Sequence, residues 1–136
     1  MLRALAFPWL CIIATSTTAQ CPESQNEEIV LYFMQQIAEP AAEFGVKAYI
    51  TVQGNDPSEK LLADVRNMGV NAEKGSEYTP EARLLFTYEV LELFDNCDRK
   101  IRYAFQCKSM CGSGGTTTMV RTDDGWKSVR ERGWVN

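Results

Sequence analysis

Cys107 and Cys111 stand with three residues between them, and Gly112, Ser113, Gly114 and Gly115 follow at once. Four chemistries use residues of these types. A thioredoxin-like redox pair has two intervening residues and a helix N-terminus that lowers the thiol pKa. Here Lys108, Ser109 and Met110 intervene, and the glycines lead into the β-forming run TTTMVRT. A structural zinc centre takes four Cys or His ligands, and this chain has no histidine. A phosphate cradle would have its glycine N–H groups but lacks a following helix and a Lys-Ser/Thr pair. A structural disulfide that closes the mouth of a hairpin asks for nothing that is missing, and it is the reading preferred here.

The rest of the chemical inventory is thin. Without histidine, the commonest general base and metal ligand is absent, and Ser-His-Asp or Cys-His catalysis within the chain is excluded. Glu89 and Glu92 are a candidate carboxylate pair for glycosidase-type work; the ordinary reading puts them on the exposed side of a strand. Trp126 and Trp134 suit a ligand groove or the edge of a core. Arg121, Lys127, Arg130 and Arg132 make the C-terminal stretch locally basic, either to meet an acidic partner or as a solvated strand face. No metal and no cofactor is expected.

Residues 1–19, MLRALAFPWLCIIATSTTA, carry Arg3, an apolar run from Ala4 to Ile13, and small residues with Thr17 and Ala19 at −3 and −1. This is the layout of a secretory signal peptide. The apolar run is far shorter than the about 20 residues of a membrane span. Cleavage after Ala19 leaves residues 20–136 as a single domain, starting at Gln20 and long enough to bury one core. A lipoprotein would instead be processed at Cys21, where Gln20 is a poor fit to the small residue needed. The whole chain has net charge −4, and loss of Arg3 makes it −5. With no basic cluster overall, neither nucleic acid nor an anionic membrane is an expected partner. Cys11 leaves with the leader, so Cys21, Cys97, Cys107 and Cys111 remain. Four cysteines allow three pairings. Proximity favours Cys107–Cys111, which leaves Cys21–Cys97 as a long-range tie.

Several elements are legible around these cysteines. In PESQNEEIVLYFMQQIAEP, Val30, Phe33, Met34 and Ile37 recur at helical spacing, Glu27 and Glu28 suit a first turn, and Pro40 is expected to end the helix. KAYITVQG alternates as a strand over 47–54. A second helix is predicted with Asp56 as N-cap, Pro57 first, and Glu59 completing a capping box. Leu61, Leu62, Val65 and Met68 would form its buried side, and Gly69 its left-handed end. A short strand is expected near Val70. Residues 83–96 fit both helix and strand, and the alternating 99–107 after the NCD turn favours strand. Residues 116–122 and the segment after the DDG turn form a further hairpin. The expected fold is α+β in two layers: an antiparallel sheet of about four strands with two helices on one face.

Two segments, residues 52–78 and 103–136, resemble a set of small exported bacterial proteins of unknown function, often described as hypothetical or lipoprotein-like. The shared pattern is a G-x-DP-S helix start (Gly54, Asp56, Pro57, Ser58), a K-x-S-E stretch (Lys74, Ser76, Glu77) and a C-x-x-x-CG-x-G loop (Cys107, Cys111, Gly112, Gly114). A G-W strand (Gly125, Trp126) and a terminal W-V (Trp134, Val135) follow. The resemblance implies a β-meander through 83–96 and no assigned activity.

These observations favour a secreted or periplasmic, non-enzymatic, monomeric domain that binds another exported protein in the manner of an inhibitor. Its contact loop would carry Lys108, Ser109, Met110, Gly112 and Ser113. The alternatives are a small-molecule binder or weak carboxylate enzyme with a cavity between sheet and helices, and a structural envelope component. Exported material should begin at Gln20 and contain no free thiol. Intact mass after alkylation under denaturing, non-reducing conditions checks both points, and an added diacylglycerol mass would restore the lipoprotein reading.

Overall fold

Apolar side chains from two helices and from alternate positions of a sheet meet in one core, and their spacing explains the elements. The computed structural model describes residues 21–79, 84–107 and 112–135. In chain order these form α1 (Ser24–Phe44), β1 (Lys47–Val52), α2 (Glu59–Asn67), β2 (Asn71–Lys74), a single 3-10 turn (Gly75–Glu77), β3 (Leu84–Leu93), β4 (Arg99–Gln106), β5 (Gly112–Thr122) and β6 (Gly125–Val135). Ile29, Val30, Phe33 and Met34 of α1 and Leu61, Leu62 and Val65 of α2 are buried against Ala48, Ile50, Val52, Ala72, Phe86, Tyr88, Ile101, Tyr103 and Met119 of the sheet. The Phe33 ring stacks on Tyr103 at 4.4 Å between centroids and lies 5.9 Å from Phe86.

The α+β class is as expected, but the sheet is larger than four strands and only partly antiparallel. Its order is β2-β1-β3-β4-β5-β6. β1 pairs in parallel with both β2 and β3, and the remaining pairs are antiparallel. Parallel neighbours need a crossover connection, which α2 supplies between β1 and β2. β2 consists of Asn-Ala-Glu-Lys with only Ala72 buried, so its amino acids carry little strand pattern. Residues 84–93 are strand, resolving the ambiguity in the direction expected.

Three local expectations need correcting. Pro40 does not end α1. It sits inside the helix, which runs four residues further to a left-handed Gly45 at φ 61°. Proline removes one helical hydrogen bond, yet Ala41 is buried and its carbonyl accepts from Val46, so packing and the glycine cap hold the last turn. Nor does Asp56 cap α2. The cap is Ser58, whose Oγ accepts from the Leu61 N–H at 3.1 Å and donates to Glu27 at 2.8 Å, tying the two helix starts together. Pro57 therefore precedes the helix, and Glu59 pairs with Lys74 instead of closing a capping box. Asp56 accepts from both the N–H and hydroxyl of Ser76, at 2.9 and 2.6 Å. Finally, β5 begins at Gly112, so the glycine run is strand and not loop. Gly69, beyond α2, is left-handed as expected, at φ 94°.

Cys21 and Cys97 form a disulfide across 76 residues, joining the chain ahead of α1 to the β3–β4 turn. Cys107 is also disulfide-bonded; Cys111, its expected partner, lies outside the described residues. No helix among the described residues is long and apolar enough to cross a membrane.

Ser58→Ala should destabilise the domain by about 1 kcal/mol, the usual loss for an N-cap, and raise amide exchange at Leu61. Asp56→Ala should leave Leu61 protected and expose Ser76. Hydrogen bonds from Ser76 hold the Asp56 carboxyl below its ordinary pKa. Ser76 protection should therefore be full above the ordinary carboxylate range and be lost only as pH falls through the lowered value. Hydrogen exchange followed residue by residue checks both outcomes.

Candidate functional site

Because side chains alternate along each strand, every strand that buries one side in the core presents the other outward. Over β1 that outer side is occupied: the Tyr78 ring packs edge-on against Tyr49, and Gly75 lies against Thr51. From β3 to β6 the register lays out cross-strand rows. Thr87, Ala104, Gly114 and Trp134 form one, Glu89, Arg102, Thr116 and Arg132 the next, and Glu92, Lys100, Thr118 and Val129 the third.

The first row explains the glycine run. A Cβ on Gly114 would stand 2.8 Å from the Trp134 ring and 2.6 Å from the Tyr103 carbonyl oxygen, and one on Gly112 would touch the same indole at 3.5 Å. Gly112 and Gly114 are thus a floor on which the indole lies, with Ala104 buried alongside, while Trp134 remains 42% exposed. An aromatic ring is fixed by backbone at the end of the sheet that carries the 107–112 connection.

The other rows border two shallow depressions. One, of about 460 Å³, is lined by Phe94, Lys100, Thr116, Thr117, Thr118, Arg130 and Arg132. The second, of about 440 Å³, includes Thr51, Gln53, Thr87, Glu89 and Arg102. Arg102 and Thr116 are register partners where the two adjoin. Arg102 is paired with Glu89 at 3.6 Å. Lys100, Arg130 and Arg132 have no ion pair among the described residues. Cations beside hydroxyl donors offer hydrogen bonds to an anionic group, and a held aromatic face offers apolar contact area.

The residues singled out in the sequence scatter. Lys108, Ser109, Met110 and Cys111 lie outside the described residues, whereas Gly112 and Ser113 open β5 opposite Gln106 and Phe105. Glu89 is engaged by Arg102, and Glu92 stands opposite Lys100, both exposed on the outer face. The two tryptophans part. Trp126 lies over the Arg99 guanidinium at 5.3 Å and donates to Glu28 at 2.8 Å, on the helix side. Arg121 joins it there, paired with Glu28 at 3.9 Å. Arg130 and Arg132 go to the outer depression. Among the described residues, no three His, Cys, Asp or Glu side chains converge on a point where a metal would fit.

Sequence reasoning passed over Lys100, Thr116 and Thr118, which look ordinary until register aligns them, and above all Arg99. This residue is 2% exposed, and its guanidinium is enclosed by hydrogen-bond acceptors. It donates to Asn26 Oδ1 at 2.7 Å, Gln25 Oε1 at 2.6 Å, and the Cys97 carbonyl at 2.9 and 3.1 Å. The Tyr88 hydroxyl donates to the same Asn26 oxygen at 2.7 Å. Burial raises the Tyr88 pKa, with the Arg99 charge opposing it. Tyr103 donates to the Glu131 carboxylate, and burial followed by that hydrogen bond raises its pKa too. The one clue in the sequence was positional: Gln25 and Asn26 lie one helical turn after Cys21, and Arg99 two residues after Cys97. Once those cysteines pair, the three meet.

No family model, curated protein or solved structure significantly matches this chain.

Gly114→Ala should cost about 1–3 kcal/mol, as overpacking does, and shift Trp134 emission to the red in a Trp126→Phe background. Adding Trp134→Ala should recover part of that cost, because the methyl then meets only backbone. Unfolding of the two single variants and the double variant measures this coupling.

Proposed function

We propose that this chain is a secreted or periplasmic binding module that grips another exported protein in an inhibitor-like way. It acts through the outer side of β4–β6 together with the adjoining residues Lys108, Ser109 and Met110 and with Gly112 and Ser113, which open β5. The observation that carries this reading is the Trp134 indole, fixed on the Gly112–Gly114 floor yet 42% exposed. Large aromatic side chains held in place before binding make effective anchors, since little freedom is lost on association. The Cys21–Cys97 disulfide supports an oxidising compartment, as does the leader-like segment 1–19. The resemblance to small exported bacterial proteins belongs to the same proposal. So do release of residues 20–136 as a monomer and a role without catalysis.

The test is capture of a partner from the extracellular or envelope fraction of the source, using the parent chain, Trp134→Ala and Lys60→Ala. Lys60 is an exposed residue of α2, on the helix side of the sheet and away from its outer face. A defined protein retained by the parent and Lys60→Ala but released at least tenfold faster by Trp134→Ala is the expected result. A partner held equally by all three would overturn the assignment to this face.

A further inference from the structure

Resting on that reading, we infer that the depression beneath Phe94 is an anion site that receives the carboxylates of a short acidic segment of the protein partner. Lys100, Arg130 and Arg132 supply the charge, and Thr116 and Thr118 the hydroxyl donors.

The chain has more acidic than basic side chains, 18 to 14, so a surface cation readily finds a carboxylate. Lys60, Arg66, Lys74, Arg102 and Arg121 each do. Lys47, Lys100, Lys127, Arg130 and Arg132 have no such pair among the described residues, and three of these five line one concavity. Like charges gathered around one concavity repel each other, and an entering anion relieves all three at once.

The backbone arranges this gathering. Between Thr116 and Thr118 the β5–β6 register slips, so that Thr118 faces Val129 while Thr116 faces Arg132. Val129 and Arg132, three residues apart, would point to opposite sides of a regular strand; the bulge turns both outward. Arg130, within it, has φ 56°, an unfavourable conformation for a residue with a Cβ, and lines the same depression as Arg132. Bulges and charges also protect the edge of a sheet from pairing with other chains, and β6 is such an edge. That role does not explain Lys100, which lies on β4, two strands inward, opposite Thr118, and lines the same depression.

The occupant follows from what surrounds the charge. On the β3 side, Glu92 stands opposite Lys100 and Glu89 occupies Arg102, so an extended polyanion running across the sheet would meet two carboxylates. The overall negative charge likewise disfavours nucleic acid or a long sulfated glycan. Phe94 lines the depression, and Trp134 follows Arg132 on the outer side of β6. A few acidic residues with apolar neighbours, as a protein segment offers, match both features.

The probe is acetyl-hexaglutamate-amide, titrated into the ¹⁵N-labelled chain, with inorganic phosphate and a heparin hexasaccharide as competitors. Amide shifts should concentrate at Lys100, Thr116, Thr118, Arg130 and Arg132. Affinity should fall at least tenfold in K100Q/R130Q/R132Q and stay within twofold in K47Q/K127Q, which removes unpaired cations outside the depression. Shifts spread over both faces of the sheet, or equal losses in the two variants, would overturn the site. Phosphate or the heparin fragment binding the same residues more tightly than hexaglutamate would overturn the acidic segment as occupant. The outcomes separate from those of the binding-module reading. A captured partner that needs Trp134 but not the three cations sinks this inference alone, whereas localised hexaglutamate binding without any partner dependent on the outer face supports the anion site and sinks the broader reading.

Discussion

Arg99 carries a full charge in the core without a carboxylate touching it. Desolvating an ion of that size costs several kcal/mol, and the cost is offset only if every donor finds an acceptor. The acceptors come from distant places: Gln25 and Asn26 in the first turns of α1, and the carbonyl of Cys97 in the β3–β4 turn. Trp126 from β6 closes over the guanidinium face. Glu23 steadies Asn26 in turn, donating nothing but accepting from its amide at 3.1 Å. One side chain therefore fixes where α1 lands, how the turn bends and where β6 ends up. The Cys21–Cys97 bond covalently joins two of the parts that the guanidinium joins by hydrogen bonds, and Cys97 sits at φ 69°, a conformation that both constraints help to hold. Every buried side-chain polar atom among the described residues has a partner, as a core built around an ion requires.

With α1 anchored at that end, both helices cover one side of the sheet, and the outer side of β3–β6 carries charged residues and threonines beside Ala104, Val129 and Trp134. A half-covered antiparallel region is an ordinary arrangement for such strands. What is particular to this chain is the treatment of that side: glycines where an indole must lie flat, threonines where strands need β-branched polar residues, and cations without carboxylates at the β6 end. The same bulge that shields an edge strand also aims two arginines outward. The packed core and the exposed indole and cations thus occupy different sides of one sheet, and the tryptophans divide in the same way. Trp126 serves the buried ion, and Trp134 faces outward.

The elements whose signal is local were legible in the sequence. The helical stripe of Val30, Phe33, Met34 and Ile37, the alternation of Ala48, Ile50 and Val52, and the hairpins after residue 83 each follow from the period of burial on one side. The long disulfide was reached by elimination after proximity had been used for the other pair. Asp56 and Ser58 show where local reasoning stops. Both are good caps two residues apart, and the choice between them was made by Ser76 and Glu27, at 20 and 31 residues' distance. Pro40 is a similar case, because burial of Ala41 outweighed a local preference.

Amino-acid order alone determined the class of the fold, the helical and strand runs, and the exclusion of histidine-based chemistry, because periodicity and composition are properties of neighbouring residues. Tertiary structure alone decided that β1 lies between two parallel partners, that Arg99 is buried among amides, and that Lys100, Arg130 and Arg132 share one hollow while Arg121 turns to the helices. Strand order and register bring together residues as far as 98 positions apart, as for Glu28 and Trp126. A one-residue bulge reverses which side an arginine faces. Neither quantity is written in any short window of the sequence, since both are set by which strands pair once the core has closed.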